Sequence, residues 1–376
     1  MNNTKPKQYN IIGLMSGSSL DGLDIVHCFF EITSEPSFQI NSWQITCAET
    51  IGFDNELIKH LKTATNLTAK SLIKLDHDFG RILGELTQNF IDKNELDPDF
   101  ISSHGHTVFH NPKEGFSLQI GHPVEIVAKT GLPVIGDFRS TDIALGGQGA
   151  PFAPIVDLLL FPEFDVMVNL GGIMNASFLK SDGQIIAYDL APCNQTLNHL
   201  AQLEGKLFDD QGQIASNGKT NDDLMLKLQN WEFFKKNGPK SLDNSEIKKD
   251  FHTILNEFVI PTADKMHTTV ELIAVKLKES IEAQNYINHP KILLTGGGAF
   301  NKYLVERFRM HLPDAEFIVP SETIISFKEG LLMALMGLLR INNQPNVLKS
   351  VTGCNKDHIA GAVYQGTKKY INEYHR

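Results

Sequence analysis

The sequence predicts an α/β protein built from two similar halves, and three observations carry that prediction. Strand-like segments alternate with helix-like ones along the chain. The succession strand, glycine turn, strand, helix occurs twice, about 155 residues apart. The 376 residues also exceed what one ordinary core of ~100–200 residues accommodates, so two domains are expected.

The elements follow in order. Tyr9 to Met15 and Leu23 to Ile32 read as strands joined by SGSSLDG, in which Asp21-Gly22 is a hairpin signal. From Ala69 to Asn94, apolar residues spaced mostly by three and four (Leu72, Leu75, Phe79, Leu83, Leu86, Phe90) predict an amphipathic helix that Pro98 stops. Phe100 to Ser103 and Pro133 to Gly136 are short strands, the second leading into DFRSTDIALGGQGAP. The other half opens with a strand from Asp165 to Leu170, GGIMN, and strands on either side of the turn Ser181-Asp182-Gly183, the second ending at Tyr188-Asp189. Helices are expected at 194–204 and 261–284. The polar, Gly- and Lys-rich stretch 205–250 reads as mobile surface elements. Lys291 to Thr295 is a strand running into Gly296-Gly297-Gly298, and Ile324 to Leu339 is apolar nearly all round, hence a buried helix.

Apolar content of 41% and charged content of 21% are ordinary for a globular enzyme. A net charge of −10 argues against nucleic-acid and membrane-surface binding, yet admits an anionic ligand held by backbone N–H groups and a metal ion. The four scattered cysteines show no zinc spacing and favour a reducing cytosol. The N-terminal segment lacks a signal-peptide core, and no apolar run is long enough to span a bilayer.

Neither a Walker phosphate loop nor a protein-kinase motif set occurs. Instead, glycine-rich turns follow strands at 16–22 (SGSSLDG), 169–175 (NLGGIMN) and 295–301 (TGGGAFN). Glycine lets turn amides approach phosphate oxygens closely. Ser18 and Ser19 add hydroxyls, and Asp21 or Asp24 can hold Mg²⁺ through water. Taken singly, each turn is explained by hairpin geometry; three at strand ends in repeated halves favour a phosphate site. Beyond the strand at Gly136, Asp137, Arg139 and Asp142 occupy the usual address of a ligand site in an α/β sheet. Arg139 is suited to orient an anion bidentately, although an Asp137–Arg139 surface pair explains the same residues. His104 and His106, read as alternate residues of one strand, sketch a metal site with Asp137; imidazoles hydrogen-bonded in a polar setting are the simpler reading. Asp189, at a strand end before a helix, fits a general base or a partner of the helix dipole. The residues alone do not choose between Asp137 and Asp189. Glu329, inside an apolar helix, needs either a partner or a polar setting.

Together these segments resemble the anhydro-N-acetylmuramic acid kinase family. GLMSGSSLDGLD is similar to that family's G-[LV]-M-S-G-T-S-L-D-G-x-D, with Ser18 for threonine; SHGHT resembles S-H-G-Q-T, and LQIGHP resembles L-Q-I-G-x-P. GDFRSTDIALGGQGAP follows D-F-R-x-x-D-x-A-x-G-G-Q-G-A-P, VNLGGIMN resembles V-N-[IL]-G-G-I-A-N, and GGGAFN matches the nucleotide turn. The resemblance runs from about residue 10 to about residue 340, in order.

It implies a two-domain fold of the actin, heat-shock ATPase and hexokinase type, a duplicated ribonuclease H-like α/β arrangement with its active site in the interdomain cleft. The first domain would hold 1–145 and roughly 343–376, and the second 146–342, with a polar surface insertion at 205–250. The implied reaction takes 1,6-anhydro-N-acetylmuramic acid, ATP and water to N-acetylmuramic acid 6-phosphate and ADP, in cytoplasmic murein recycling. The resemblance assigns ATP phosphates to Gly17, Ser18, Ser19, Leu20, Asp21, Gly22, Leu23 and Asp24, together with Gly171, Gly172, Gly296, Gly297 and Gly298. It makes Asp189 the base, with Arg139, Asn194, Glu329 and His106 toward the sugar. Mg²⁺ would arrive with ATP and have no direct protein ligand. The implied partners are an amino sugar and ATP, without nucleic acid or membrane, and a homodimer is admitted.

The departures fall near the sugar. DLAPCN (189–194) stands where the family has D-T-G-P-G-N, so Leu190, Ala191 and Cys193 replace a threonine and two glycines. If those glycines served positive φ, the loop must bend differently at ~1 kcal/mol or more per residue; if they made room, the pocket is smaller. His106 replaces a glutamine, and LDNSE stands in place of T-G-R-E. A kinase for another amino sugar and a non-catalytic ATP-binding sugar sensor are the rival readings.

Overall fold

The computed structural model describes residues 6–17, 22–180, 182–236, 240–286 and 289–367. Ser18, Ser19, Leu20 and Asp21 of the first glycine turn therefore lie outside the described residues. In chain order the strands are β1 (Lys7–Met15), β2 (Leu23–Thr33), β3 (Gln39–Ile51), β4 (Phe100–Ser103), β5 (His106–Asn111), β6 (Phe116–Ile120) and β7 (Val134–Gly136). They continue with β8 (Val166–Leu170), β9 (Ile173–Leu179), β10 (Ile185–Pro192), β11 (Lys291–Thr295), β12 (Glu316–Ile318) and β13 (Ala362–Tyr364).

The chain divides into two compact units, residues 1–160 with 327–376, and residues 161–326. In the first, the sheet order is β13-β7-β4-β1-β2-β3. β1, β2 and β3 pair antiparallel as hairpins, β4 and β7 join β1 in parallel, and β13 closes the edge antiparallel to β7. In the second, the order is β10-β9-β8-β11-β12, with β8, β9 and β10 antiparallel and β11 and β12 parallel to β8. Each unit thus carries a third-second-first-fourth-fifth sheet, which is the duplicated ribonuclease H-like α/β arrangement. The repeat that the sequence shows only as a rhythm is a repeat of topology.

β1 is a central strand, and Ile11, Ile12 and Leu14 have no exposed surface. The helix Ala69–Lys93, capped at its start by the Thr68 hydroxyl accepting from Ser71 N–H, buries Leu75, Phe79, Leu83 and Phe90 against that sheet's core. The helix Glu322–Ile341 lies so close to β1 that a Cβ on Gly13 would sit 2.1 Å from the Gly330 carbonyl oxygen. Glycine at Gly13 is a requirement of that crossing, not of a turn.

Three segments differ from the sequence reading. QINSWQITCAETI alternates half-buried with exposed residues, so β3 lacks the apolar run that marks a strand. β4 ends at Ser103, Gly105 turns the chain with φ +72°, and His106 begins β5, so His104 and His106 are not alternate residues of one strand. The stretch 205–250 is not a mobile surface insertion. Leu224, Leu228, Trp231, Phe233, Leu242 and Ile247 in it join the second unit's core, beside Val270, Leu277 and Phe308. Their apolar spacing is diluted by lysine, asparagine and aspartate, which hides it from a composition reading. Among the described residues no helix is long and apolar enough to cross a membrane.

Candidate functional site

In the first unit, polar side chains gather at the C-terminal ends of the parallel strands β1, β4 and β7, where open α/β sheets place ligands. Arg139 follows β7. Its Nε and Nη2 donate to His104 Nε2 at 3.0 and 2.8 Å, and its Nη1 donates to the Gly149 carbonyl at 2.5 Å. The guanidinium also lies over the Phe152 ring, 5.3 Å from its centroid. His104 in turn donates through Nδ1 to the Gly105 carbonyl at 2.9 Å. Both of its ring nitrogens are therefore engaged, and burial, followed by the Arg139 charge, holds the imidazole down at about 3. A neutral His104 that orients Arg139 replaces the metal-ligating histidine pair. Asp137, at φ +56°, accepts from the Ser140 N–H and hydroxyl, at 3.3 and 2.5 Å, as a local turn. Arg139 is thus held by His104, and the Asp137–Arg139 pair does not form.

Asp24 and Glu329 complete this group. Asp24 begins β2 opposite Met15 and accepts from the Thr50 hydroxyl at 2.6 Å. Glu329 keeps open surface but has lost much of its hydration to surrounding protein. That loss raises its carboxyl, Asp24 raises it further, and Arg139 pulls it back. Two carboxylates and one guanidinium thus share one end of the sheet. Gly17 follows β1, Leu23 is buried, and Gly22 is demanded by packing, since a Cβ there would lie 2.4 Å from the Ile51 carbonyl oxygen. A cavity of about 210 Å³ beside His104 is lined by Ser103, Gln119, His122, Asp137 and Tyr364. His106 does not line it; that ring is 6% exposed, edge-on to Phe79, with its Nδ1 unpartnered among the described residues.

In the second unit, the glycine turns and the DLAPCN segment converge. Cys193 and Gln195 N–H donate to the Gly172 carbonyl, and Asn194 N–H donates to that of Gly171. Asn194 Nδ2 donates to the Leu170 carbonyl at 2.8 Å. The Asn194 Oδ1 lies 3.0 Å from where a Gly298 Cβ would stand. Asn194, which the sequence assigns to the sugar, thus also ties the β8–β9 turn to the turn after β11. The glycines in these turns differ in kind. Gly296 has φ +77° and, like Gly298, no space for a Cβ. Gly172 and Gly297 have neither constraint, their nearest neighbours being 3.7 and 3.9 Å away, and Gly171 meets only the Asn169 side chain at 3.3 Å. The fold does not ask for glycine at Gly172 or Gly297, whereas close approach of a ligand to the backbone does.

Asp189 lies on β10 opposite Asn175, just before a bulge. Its N–H donates to the Lys240 carbonyl, and its Oδ2 accepts from Leu242 N–H at 2.8 Å and the Ser241 hydroxyl at 3.4 Å. Burial raises this carboxyl above the ordinary range, and those two donors hold it back. The segment holding Asp189 is where LDNSE departs from the family pattern, so Ser241 and Leu242 are functional neighbours that motif reading passes over. The positive-φ cost considered for DLAPCN does not arise: Leu190, Ala191 and Cys193 are not among the positive-φ positions. Ala191 and Cys193 are fully buried, so the side chains that replace glycine fill the core.

The family model for anhydro-N-acetylmuramic acid kinase matches residues 9–366. The chain is 32% identical to the anhydro-N-acetylmuramic acid kinase of Aliivibrio fischeri, over 94% of this chain and 98% of that one. It is 30% identical to the enzyme of that name from Haemophilus influenzae, over 97% and 99%. Among solved structures, the activator of 2-hydroxyisocaproyl-CoA dehydratase from Clostridium difficile, with bound ADPNP, aligns over 88% of this chain and 93% of that one. The TM-score is 0.39 and the identity 14%.

Proposed function

The chain belongs to the anhydro-N-acetylmuramic acid kinase family, and on that premise we propose that Asp189 is the base of its reaction. The enzyme is an ATP-using sugar kinase, and the proposed substrate is 1,6-anhydro-N-acetylmuramic acid. The observation that carries the assignment is the Asp189 carboxylate itself: raised by burial, fixed at one oxygen by Leu242 and Ser241, and set on a strand end in the unit that holds two glycine turns. A carboxylate so held takes a proton from water without reorienting. The water oxygen attacks the anomeric carbon, the 1,6-anhydro bond breaks, and the oxygen released at carbon 6 takes the γ-phosphoryl group of ATP.

We assign the ATP phosphates to the Gly17–Asp24 turn and to Gly171, Gly172, Gly296, Gly297 and Gly298, of which Gly172 and Gly297 have the strongest support because packing leaves both positions open. Arg139, Asn194, Glu329 and His106 remain the sugar-side assignments. Among them, Arg139 is best supported, being pre-oriented by His104, and His106 least, being buried beside Phe79. Asp24 and Glu329 offer hard oxygen donors close enough to raise one carboxyl, a set that suits the water shell of Mg²⁺. Bound with ATP, that ion would neutralise phosphate charge. A cytoplasmic location is supported by four cysteines that are all free.

Asp189→Asn tests the assignment. The variant folds and binds ATP, while kcat in a coupled ADP assay falls by ~10²–10⁴-fold. Near-normal turnover would remove Asp189 from the base role. Anhydro-N-acetylmuramic acid, N-acetylmuramic acid and N-acetylglucosamine offered side by side decide the substrate. ADP release with the anhydro sugar alone supports the reading, and release with either of the others redirects it.

A further inference from the structure

Away from these groups, Asp142, Cys354 and His358 come together in the first unit, 0%, 6% and 7% exposed, with one ligand atom from each within 4.8 Å of the others. His358 Nδ1 lies 3.2 Å from the Lys356 carbonyl, to which it donates, leaving the Nε2 lone pair toward Asp142 Oδ1 at 3.8 Å. That Nε2 has no hydrogen-bond partner among the described residues. A backbone carbonyl fixing one ring nitrogen so that the other is bare is the arrangement that orients a metal-ligating histidine. Cys354 Sγ stands 3.6 Å from the same ring and 3.1 Å from the Lys356 carbonyl oxygen.

The charge balance points the same way. Asp142 accepts from Gly149 N–H at 2.6 Å and the Thr352 hydroxyl at 2.7 Å, and among the described residues no lysine or arginine pairs with it. A fully buried carboxylate supported only by neutral donors is costly. A divalent cation bound by Asp142 carboxylate, Cys354 thiolate and neutral His358 gives a neutral site, with the thiol proton released to solvent. Sulfur, imidazole and carboxylate together favour Zn²⁺ or Co²⁺ over Mg²⁺ or Ca²⁺.

We propose that Asp142, Cys354 and His358 form a buried structural site for a Zn²⁺-class ion, pinning the segment from Thr352 to His358 onto the short helix Ser140–Ala144 that follows Arg139. Three protein ligands leave one tetrahedral position for water. The ligands come together by about an ångström on binding, since bonds of ~2.0–2.3 Å set them roughly 3.3–3.8 Å apart. This site is separate from the proposed catalytic groups and does not depend on the assigned reaction.

The test is titration of the chelator-stripped full chain with Co²⁺. One equivalent binds with a thiolate-to-cobalt charge-transfer band, Zn²⁺ displaces it, and added Zn²⁺ raises the melting temperature. Cys354→Ala abolishes the band, and His358→Gln weakens Co²⁺ binding by ~100-fold or more, at least the cost of losing an outer-shell partner. Absence of a stoichiometric thiolate band in the wild-type chain overturns the proposal whatever the variants do. So does a band that survives Cys354→Ala in protein with wild-type circular dichroism.

Discussion

The two units share one sheet topology and use it for opposite chemistry. In the first unit, β1 and β2 are joined by the long turn after Met15, and the strand ends carry Asp24, Arg139 and Glu329, a cluster of fixed charge. In the second, β8 and β9 are joined by Gly171-Gly172 alone, and the strand ends carry bare backbone with one raised carboxylate, Asp189. The hydrogen-bond ladder and apolar faces that build the sheet are indifferent to what stands after each strand. Topology is therefore common to both, and the turns hold the function.

Paired substitutions break or sharpen that contrast. The largest effect is expected between the two aspartates. Asp189→Asn loses ~10²–10⁴-fold in kcat, whereas Asp24→Asn raises the KM for Mg-ATP by roughly 10-fold, or about 1.4 kcal/mol; steady-state kinetics with ATP and sugar varied in turn distinguishes them. Within the second unit, Gly298→Ala forces a Cβ to 2.8 Å from the Leu170 side chain and destabilises by ~1–3 kcal/mol in urea unfolding. Gly172→Ala leaves stability within ~1 kcal/mol of wild type and raises the KM for ATP. If the two alanines behaved alike, the division between packing glycines and ligand glycines would be lost.

A smaller effect belongs to the first unit. His104 is held near 3 in the fold, against 6.5 when exposed. The unfolded chain therefore binds the extra proton first. The stability that a neutral His104 provides is complete above pH 6.5 and drains as pH falls toward 3. His104→Gln flattens that part of the stability profile, measured by urea unfolding between pH 7 and 5. The smallest shift is at Ser241. Its hydroxyl lowers the Asp189 carboxyl through a long 3.4 Å bond, so Ser241→Ala moves the acid limb of the kcat profile slightly upward in pH. A downward move would exclude that bond from the base's environment.

Much of this was legible in the sequence. The Ile11–Leu14 run, the periodic helix from Ala69, and three strands ending in glycine turns announce the alternation and the repeat, because burial and turn geometry are local signals. β3 was hidden because a half-exposed strand has no apolar run. The core of 205–250 was hidden because Leu224, Leu228 and Trp231 sit among polar residues. Asp189 could be named from its position, but its holders Ser241 and Leu242 lie 52 and 53 residues away. His104 looked like half of a ligand pair because Gly105 was read as strand, and its positive φ is a property of the packed turn against Ile120.

The first unit is assembled from both ends of the chain, and that imposes an order on its birth. Residues 161–326 form a continuous unit and can fold as they leave the ribosome. The helix Glu322–Ile341, whose Gly330 closes over Gly13, and β13, which seals the edge of β7, are made last. At ~5–20 residues per second, the apolar faces of β1 and β4 wait on the order of tens of seconds for their cover. The nascent chain is thus a client for chaperones over its first half, and a truncation that removes β13 leaves an unsealed edge open to pairing with another copy.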